Sequence, residues 1–172
     1  MKSISSILFF RFILIFLSQI IVFNNISIFG VSADIYIIFL LIFPQNINKS
    51  LYYFLIFLYG IFLDSFSNSF GIITFSLLVS SYIRPYLLDF SFGNFDMRKV
   101  GKVKDYLINT TIYQKLTYIS LVVFSHNFVL YSVEIFSIYK FQLIMKNATI
   151  SSLISITLML IIISLFYFKN ER

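Results

Sequence analysis

Apolar residues in this chain come in long runs broken by short polar patches. A helix rises about 1.5 Å per residue, so crossing roughly 30 Å of hydrocarbon takes about 20 mostly apolar residues. On that measure the runs predict an all-α fold, a polytopic integral membrane bundle of six transmembrane helices. The spans fall at about residues 4–23, 32–47, 50–66, 71–88, 112–138 and 148–168. The second and third are the shortest. Ile35 to Phe43 meets Pro44 and a polar patch running to Ser50, and Leu51 to Leu63 ends at Asp64. Their strictly apolar cores reach only about 20 Å or less, so they cross if Val31, Ala33 and Phe66 join them. The alternative is a re-entrant hairpin. There is no Gly/Ser linker and no visible repeat, so residues 1–172 read as one membrane-embedded domain.

The basic residues orient these spans. With a cytoplasmic N-terminus and six crossings, the inner segments hold Lys2, Arg11, Lys49, Arg84, Arg98, Lys99, Lys102, Lys104, Lys115, Lys169 and Arg172, and the outer ones only Lys140 and Lys146. This is the positive-inside bias. Fusing spans two and three into one crossing would move the basic loop 89–111 to the far side, which excludes five crossings. A re-entrant hairpin leaves four and keeps that loop inside, so four and six both satisfy the charges. Val31-Ser32-Ala33 has the small residues of a signal-peptidase site, but it lies about ten residues past an apolar run that Arg11 interrupts. The first run is therefore expected to stay as a span.

Composition narrows the classes. The chain is 59% hydrophobic and 12% charged, with a mean hydropathy of +0.93. A soluble domain carries roughly 25% charged residues, and disorder needs low hydrophobicity, so neither fits. With no Cys and one His, thiolate chemistry and multi-histidine metal sites are excluded, and no cofactor or metal is expected. The formal net charge of +6 is read as setting membrane orientation rather than binding nucleic acid.

Polar residues at depth carry the remaining information, since a charge near the bilayer centre costs about 2.5–3.5 kcal/mol even on the lenient insertion scale. In GIFLDSFSNSFG, residues 60–71, Gly60 and Asp64 are four apart and share a helix face. The glycine lets another backbone approach and donate to the carboxylate. Gly71 opens the next span. Asp64 is then either the edge of a solvated turn or a buried packing or ligand site with Asp34, on the same side of the membrane. In span five, Asn127 and Glu134 lie about 20° apart, with His126 about 80° from Glu134. They are candidates for interhelical hydrogen bonding, for a partner-facing site, or for a proton relay. Arg84-Pro85 ends span four, with Pro85 kinking or closing the helix and Arg84 expected to snorkel to the interface. Arg11 snorkels similarly or pairs with an acid inside the bundle. Arg98, Lys99, Lys102 and Lys104, with Val100, Val103 and Leu107 at helical spacing, form a candidate surface helix for anionic lipid or a cytoplasmic partner. No Gly-x-Ser-x-Gly, His-Glu-x-x-His or glycine-rich phosphate loop occurs.

The order of these features resembles a known family. An N-terminal span with a Gln precedes FNNISIFGVSADIYIIFLLIFP, residues 23–44. Next come GIFLDSFSNSFGIITFSLL, an Arg-Pro at the end of span four, and SHNFVLYSVEIF, residues 125–136, before a last apolar helix. Together, over essentially the whole chain, they look like the rod shape-determining protein MreD family. The resemblance implies a non-enzymatic inner-membrane component of the bacterial elongation complex, supporting peptidoglycan synthesis and cell shape. It implies binding to the bitopic protein MreC and, indirectly, to MreB, RodA and a class B penicillin-binding protein. It also implies that Gly60, Asp64 and Gly71 carry the family's most recognisable turn. The family's predicted fold is similar to the six-helix substrate-binding subunits of energy-coupling-factor transporters, which suggests an outward cavity near Asp34, Asp64 and Glu134. The alternative function is accordingly a small-molecule-binding transporter subunit. Both termini are expected in the cytoplasm.

Overall fold

The computed structural model describes residues 13–25, 27–28, 30–43, 48–93 and 111–167, and 85% of these are helical. Arg11, Pro44 and the basic group Arg98, Lys99, Lys102 and Lys104 lie outside the described residues. The first helix, α1, covers residues 13–21. It leads through a short 3-10 turn, Phe23–Asn25, into two-residue strands, Ser27–Ile28 and Val31–Ser32, paired antiparallel with Ser27 opposite Ser32. Helix α2, Ile37–Ile42, is short. Helices α3, Lys49–Ser67, α4, Ile72–Phe92, α5, Ile112–Ile135, and α6, Phe141–Tyr167, make the body of the molecule.

The segments Lys49–Ser67, Ile112–Ile135 and Ile138–Ile161 are long and apolar enough to cross a membrane, and they mark the chain as a membrane protein. At 21 residues α4 has the length, about 31 Å, but Arg84, Asp89 and its serines make it more polar. Span two differs from a membrane-length helix: its helical part is six residues, about 9 Å, preceded by the small hairpin.

Local sequence accounts for the ends of the long helices. Asn48 caps α3, its Oδ1 accepting from Ser50 N at 3.2 Å. At Thr111, the threonine hydroxyl accepts from Gln114 N while Gln114 Oε1 accepts from Thr111 N at 3.2 Å, a reciprocal capping box that starts α5. Asn68 ends α3 in a left-handed conformation, and Gly71, at φ +91°, gives the chain the sharp reversal into α4.

Consecutive long helices pack antiparallel. Asp64 of α3 reaches Thr74 of α4. Ser80 and Arg84 of α4 meet His126 and Tyr118 of α5, and Asn127 of α5 meets Ser152 of α6. The buried stripe of α6 is Ile144, Ala148, Ser151, Ser155 and Met159, and that of α4 includes Ser76, Ser80 and Arg84. Small and polar residues line the contacts, while Phe54, Phe62, Tyr82 and Leu153 face outward. In lipid the exterior is as apolar as any core, so helix association depends on close approach and interhelical hydrogen bonds. The interior of the bundle is filled by residues 33–43, every one of which with a described side chain is buried.

Candidate functional site

A short helix threaded through a membrane bundle leaves backbone N–H and C=O groups that no water satisfies, and such backbone is tolerated only where protein supplies the partners. Here side chains supply them at both ends of residues 33–43. Gln19 of α1 works as a two-way clamp. Its Oε1 accepts from Ile35 N at 2.9 Å and Tyr36 N at 3.2 Å, and its Nε2 donates to Ala33 O at 3.0 Å and Asn24 Oδ1 at 3.1 Å. Asn24 passes the connection to Ser67 Oγ at 2.8 Å, and Ser155 Oγ of α6 accepts from Asp34 N at 2.8 Å. At the other end, Arg84 Nη2 donates to Leu41 O at 3.1 Å and Phe43 O at 2.7 Å, and its Nε to Tyr118 OH at 2.9 Å.

Two polar groupings branch from this segment. Asp34 Oδ2 accepts from Ser151 Oγ at 3.1 Å. The Asn127 amide fits with its nitrogen donating to Asp34 Oδ2 at 3.0 Å and its oxygen accepting from Ser152 N at 3.1 Å. Tyr36 OH lies 2.8 Å from His126 Nε2, and Ser80 Oγ lies 3.4 Å from His126 Nδ1. Ser80 Oγ already donates to Ser76 O at 2.7 Å, so it faces the ring as an acceptor. That places the imidazole proton on Nδ1 and leaves Nε2 to accept from Tyr36.

The Gly60–Gly71 turn is a separate unit. Asp64, at the last turn of α3, accepts from Ser69 Oγ at 2.5 Å, Ile73 N at 3.1 Å, Thr74 N at 2.9 Å and Thr74 Oγ1. A carboxylate across the first N–H groups of α4 satisfies donors that the helix cannot, and it complements the positive end of the helix. Gly60 permits this approach: a Cβ there would sit 2.6 Å from Thr74 Cα. Beside the turn lies a groove of about 600 Å³ whose lining includes Phe57, Ile61, Phe75 and Leu78 and, at the turn, Asn68 and Gly71.

No family model, curated protein or solved structure matches this chain.

The structure regroups the sequence candidates. Asp64 and Asp34 are both buried, but Asp34 is bound to α5 and α6 and Asp64 to the start of α4, so they do not form a shared acid pair. His126 and Asn127 are buried as two separate junctions. Glu134 is exposed, although Tyr131 and Ile135 beside it on α5 still pack in a cluster with Ile144 and Ala148 of α6. Arg84 does not snorkel. It is 1% exposed, since the free carbonyls at the end of α2 hold its guanidinium inside. Nor does Pro85 close α4. The helix runs on to Phe92. Sequence reading gave no role to Tyr36, Tyr118, Ser151, Ser152 or Ser155, and the Gln of the first span entered only as part of an order of features. The available signal was the close spacing of Ser151, Ser152 and Ser155 within an otherwise apolar helix, the pattern of a hydrogen-bonding interface in lipid.

Proposed function

We propose that this protein is a non-enzymatic membrane scaffold of the cell-elongation machinery, an MreD-like subunit that binds MreC. On this reading the bundle crosses the inner membrane six times, with residues 33–43 as its short second pass and both termini in the cytoplasm. The observation that carries the proposal is how the residues behind the resemblance are used. Gln19, Gly60, Asp64, Arg84, His126 and Asn127 each bind or closely approach another element of the bundle. A molecule whose polar groups serve its own rigidity suits holding other membrane proteins in place. The groove between α3 and α4 has the form for it, with apolar walls and a polar end, and Phe70, 97% exposed, stands at its mouth. A single membrane helix of a bitopic partner would lie along Ile61 and Leu78 with its end at the turn.

Photo-crosslinkers placed in cells at Ile61 and Leu78 should capture MreC, while those at Leu143 and Leu153, on the outer face of α6, should not. Capture only from α6, or normal MreC pull-down and cell width with Asp64→Ala, would contradict the reading. The transporter-subunit alternative draws on one feature, the broken helix α2, because transporters build substrate sites from discontinuous helices. It predicts a small molecule retained through purification and visible by native mass spectrometry.

A further inference from the structure

Asp34 and Asp64 are both buried, but their surroundings differ. Asp64 takes four hydrogen bonds, two of them from backbone N–H groups of α4. At Asp34 the donors are side chains, and one is shared. Ser151 Oγ has a single proton for two acceptors, Ser32 O at 2.9 Å and Asp34 Oδ2 at 3.1 Å. The ionisable groups around Asp34 are Tyr36 of its own segment and Tyr131 and Glu134 of α5, and none of them is a cation. His126 bonds Tyr36. The neighbours from α1 and α6, Gln19, Ser151 and Ser155, do not titrate. A carboxylate in hydrocarbon with no cation to pair it is costly, and it takes a proton where one can reach it.

The Asn127 amide fits either state of that carboxyl. Against the ionised form its nitrogen donates to Asp34 Oδ2. Turned over, it places its oxygen 3.0 Å from Oδ2 while its nitrogen donates to Ser152 Oγ at 3.1 Å. Two acceptor oxygens meet at that distance with a proton between them, which a carboxylic O–H supplies. Hydroxyls lead from this carboxyl to the surface. Glu134 is exposed near the end of α5. One turn back, Tyr131 is buried, and its hydroxyl interacts with Ser151, whose Oγ reaches Asp34. A hydroxyl accepts one proton as it releases another, so the handover leaves neither charged. We propose that Asp34 is a proton-binding site inside the bundle, filled from the α5–α6 end through Glu134, Tyr131 and Ser151. Binding converts the carboxylate to a carboxyl and reverses the Asn127 amide, so the pH at that end sets the contact between residues 33–43 and α5. The site is independent of the MreC assignment.

The test is infrared spectroscopy of the full chain purified in detergent. At about pH 6 carboxylates in water are ionised, so a carboxylic-acid C=O band there, shifted by deuterium, reports a buried acid. Wild type should show the band and lose it reversibly in alkaline buffer, and Asp34→Asn should lack it. Ser151→Ala removes one hydroxyl donor and should move the band to higher frequency. If Asp34→Asn does not fold, that shift decides. After rapid acidification the band should return about a hundredfold more slowly in Tyr131→Phe than in wild type, to the same final height, the lower end of what a positioned proton-transfer group contributes. No band in wild type, an equal band in Asp34→Asn, or a band unmoved by Ser151→Ala would overturn the proton site. Equal rates in wild type and Tyr131→Phe would overturn the route.

Discussion

At Asp64, one carboxylate takes hydrogen bonds from two backbone N–H groups and two hydroxyls. Its acceptor-only character is the point, because an amide of the same shape has one acceptor oxygen and adds donors. Asp64→Asn should therefore leave at least one buried N–H of α4 unpaired and destabilise the protein by about 1–3 kcal/mol, read as a lower unfolding temperature in detergent. Gly60→Ala should cost about 1–3 kcal/mol by overpacking, because the neighbour that must yield is the backbone of Thr74. Ser65→Ala, on the exposed side of the same helix, should be nearly neutral in the same assay. At the Tyr36–His126 contact, a double-mutant cycle of Tyr36→Phe and His126→Phe should return a coupling of about 0.5–1.5 kcal/mol. Additive losses would mean that the two side chains do not meet. The glycine and the carboxylate four apart made the turn legible in the sequence. The identity of the donors was not, since it depends on how tightly α4 folds back.

Helix α2 and the strand pair before it show where periodicity stops informing. The long helices α3, α5 and α6 are legible because hydrocarbon thickness sets their length. Residues 35–43 are just as apolar, yet only six of the chain's residues form a helix there. An apolar run reports burial, and residues inside a bundle are as buried as residues in lipid. Nor does apolarity mark which face of α4 or α6 is internal, since lipid accepts the same side chains as the core. The internal faces are marked by serines and alanine instead. What fixes α2 is the pair of side chains at its ends, Gln19 and Arg84, both remote in sequence. Gln19→Leu, similar in size but unable to hydrogen-bond, should leave Ile35 N, Tyr36 N and Ala33 O unpartnered. At about 1–3 kcal/mol for each buried group left unpaired, it should abolish stable folding, with little full-length protein recovered from membranes. Recovery at wild-type yield and melting temperature would remove Gln19 from that role.

The whole molecule is an inside-out arrangement, with polar junctions between helices and aromatic residues around them. Exposed apolar surface on this scale belongs in lipid. On the proposed orientation, reporter fusions within 98–104 and after Phe70 should report opposite sides of the membrane, cytoplasmic and periplasmic respectively. Fusions reporting the reverse would overturn the orientation and the partner surfaces argued from it. Residues 33–43 run through the middle of the bundle, bound to the buried face of α6. The chain has no cysteine, so paired substitutions test it without background. Asp34→Cys with Ser155→Cys should crosslink readily in native membranes under mild oxidation, and Asp34→Cys with Leu153→Cys, on the outer face of the same helix, should not. Efficient crosslinking to position 153 and none to position 155 would contradict the account.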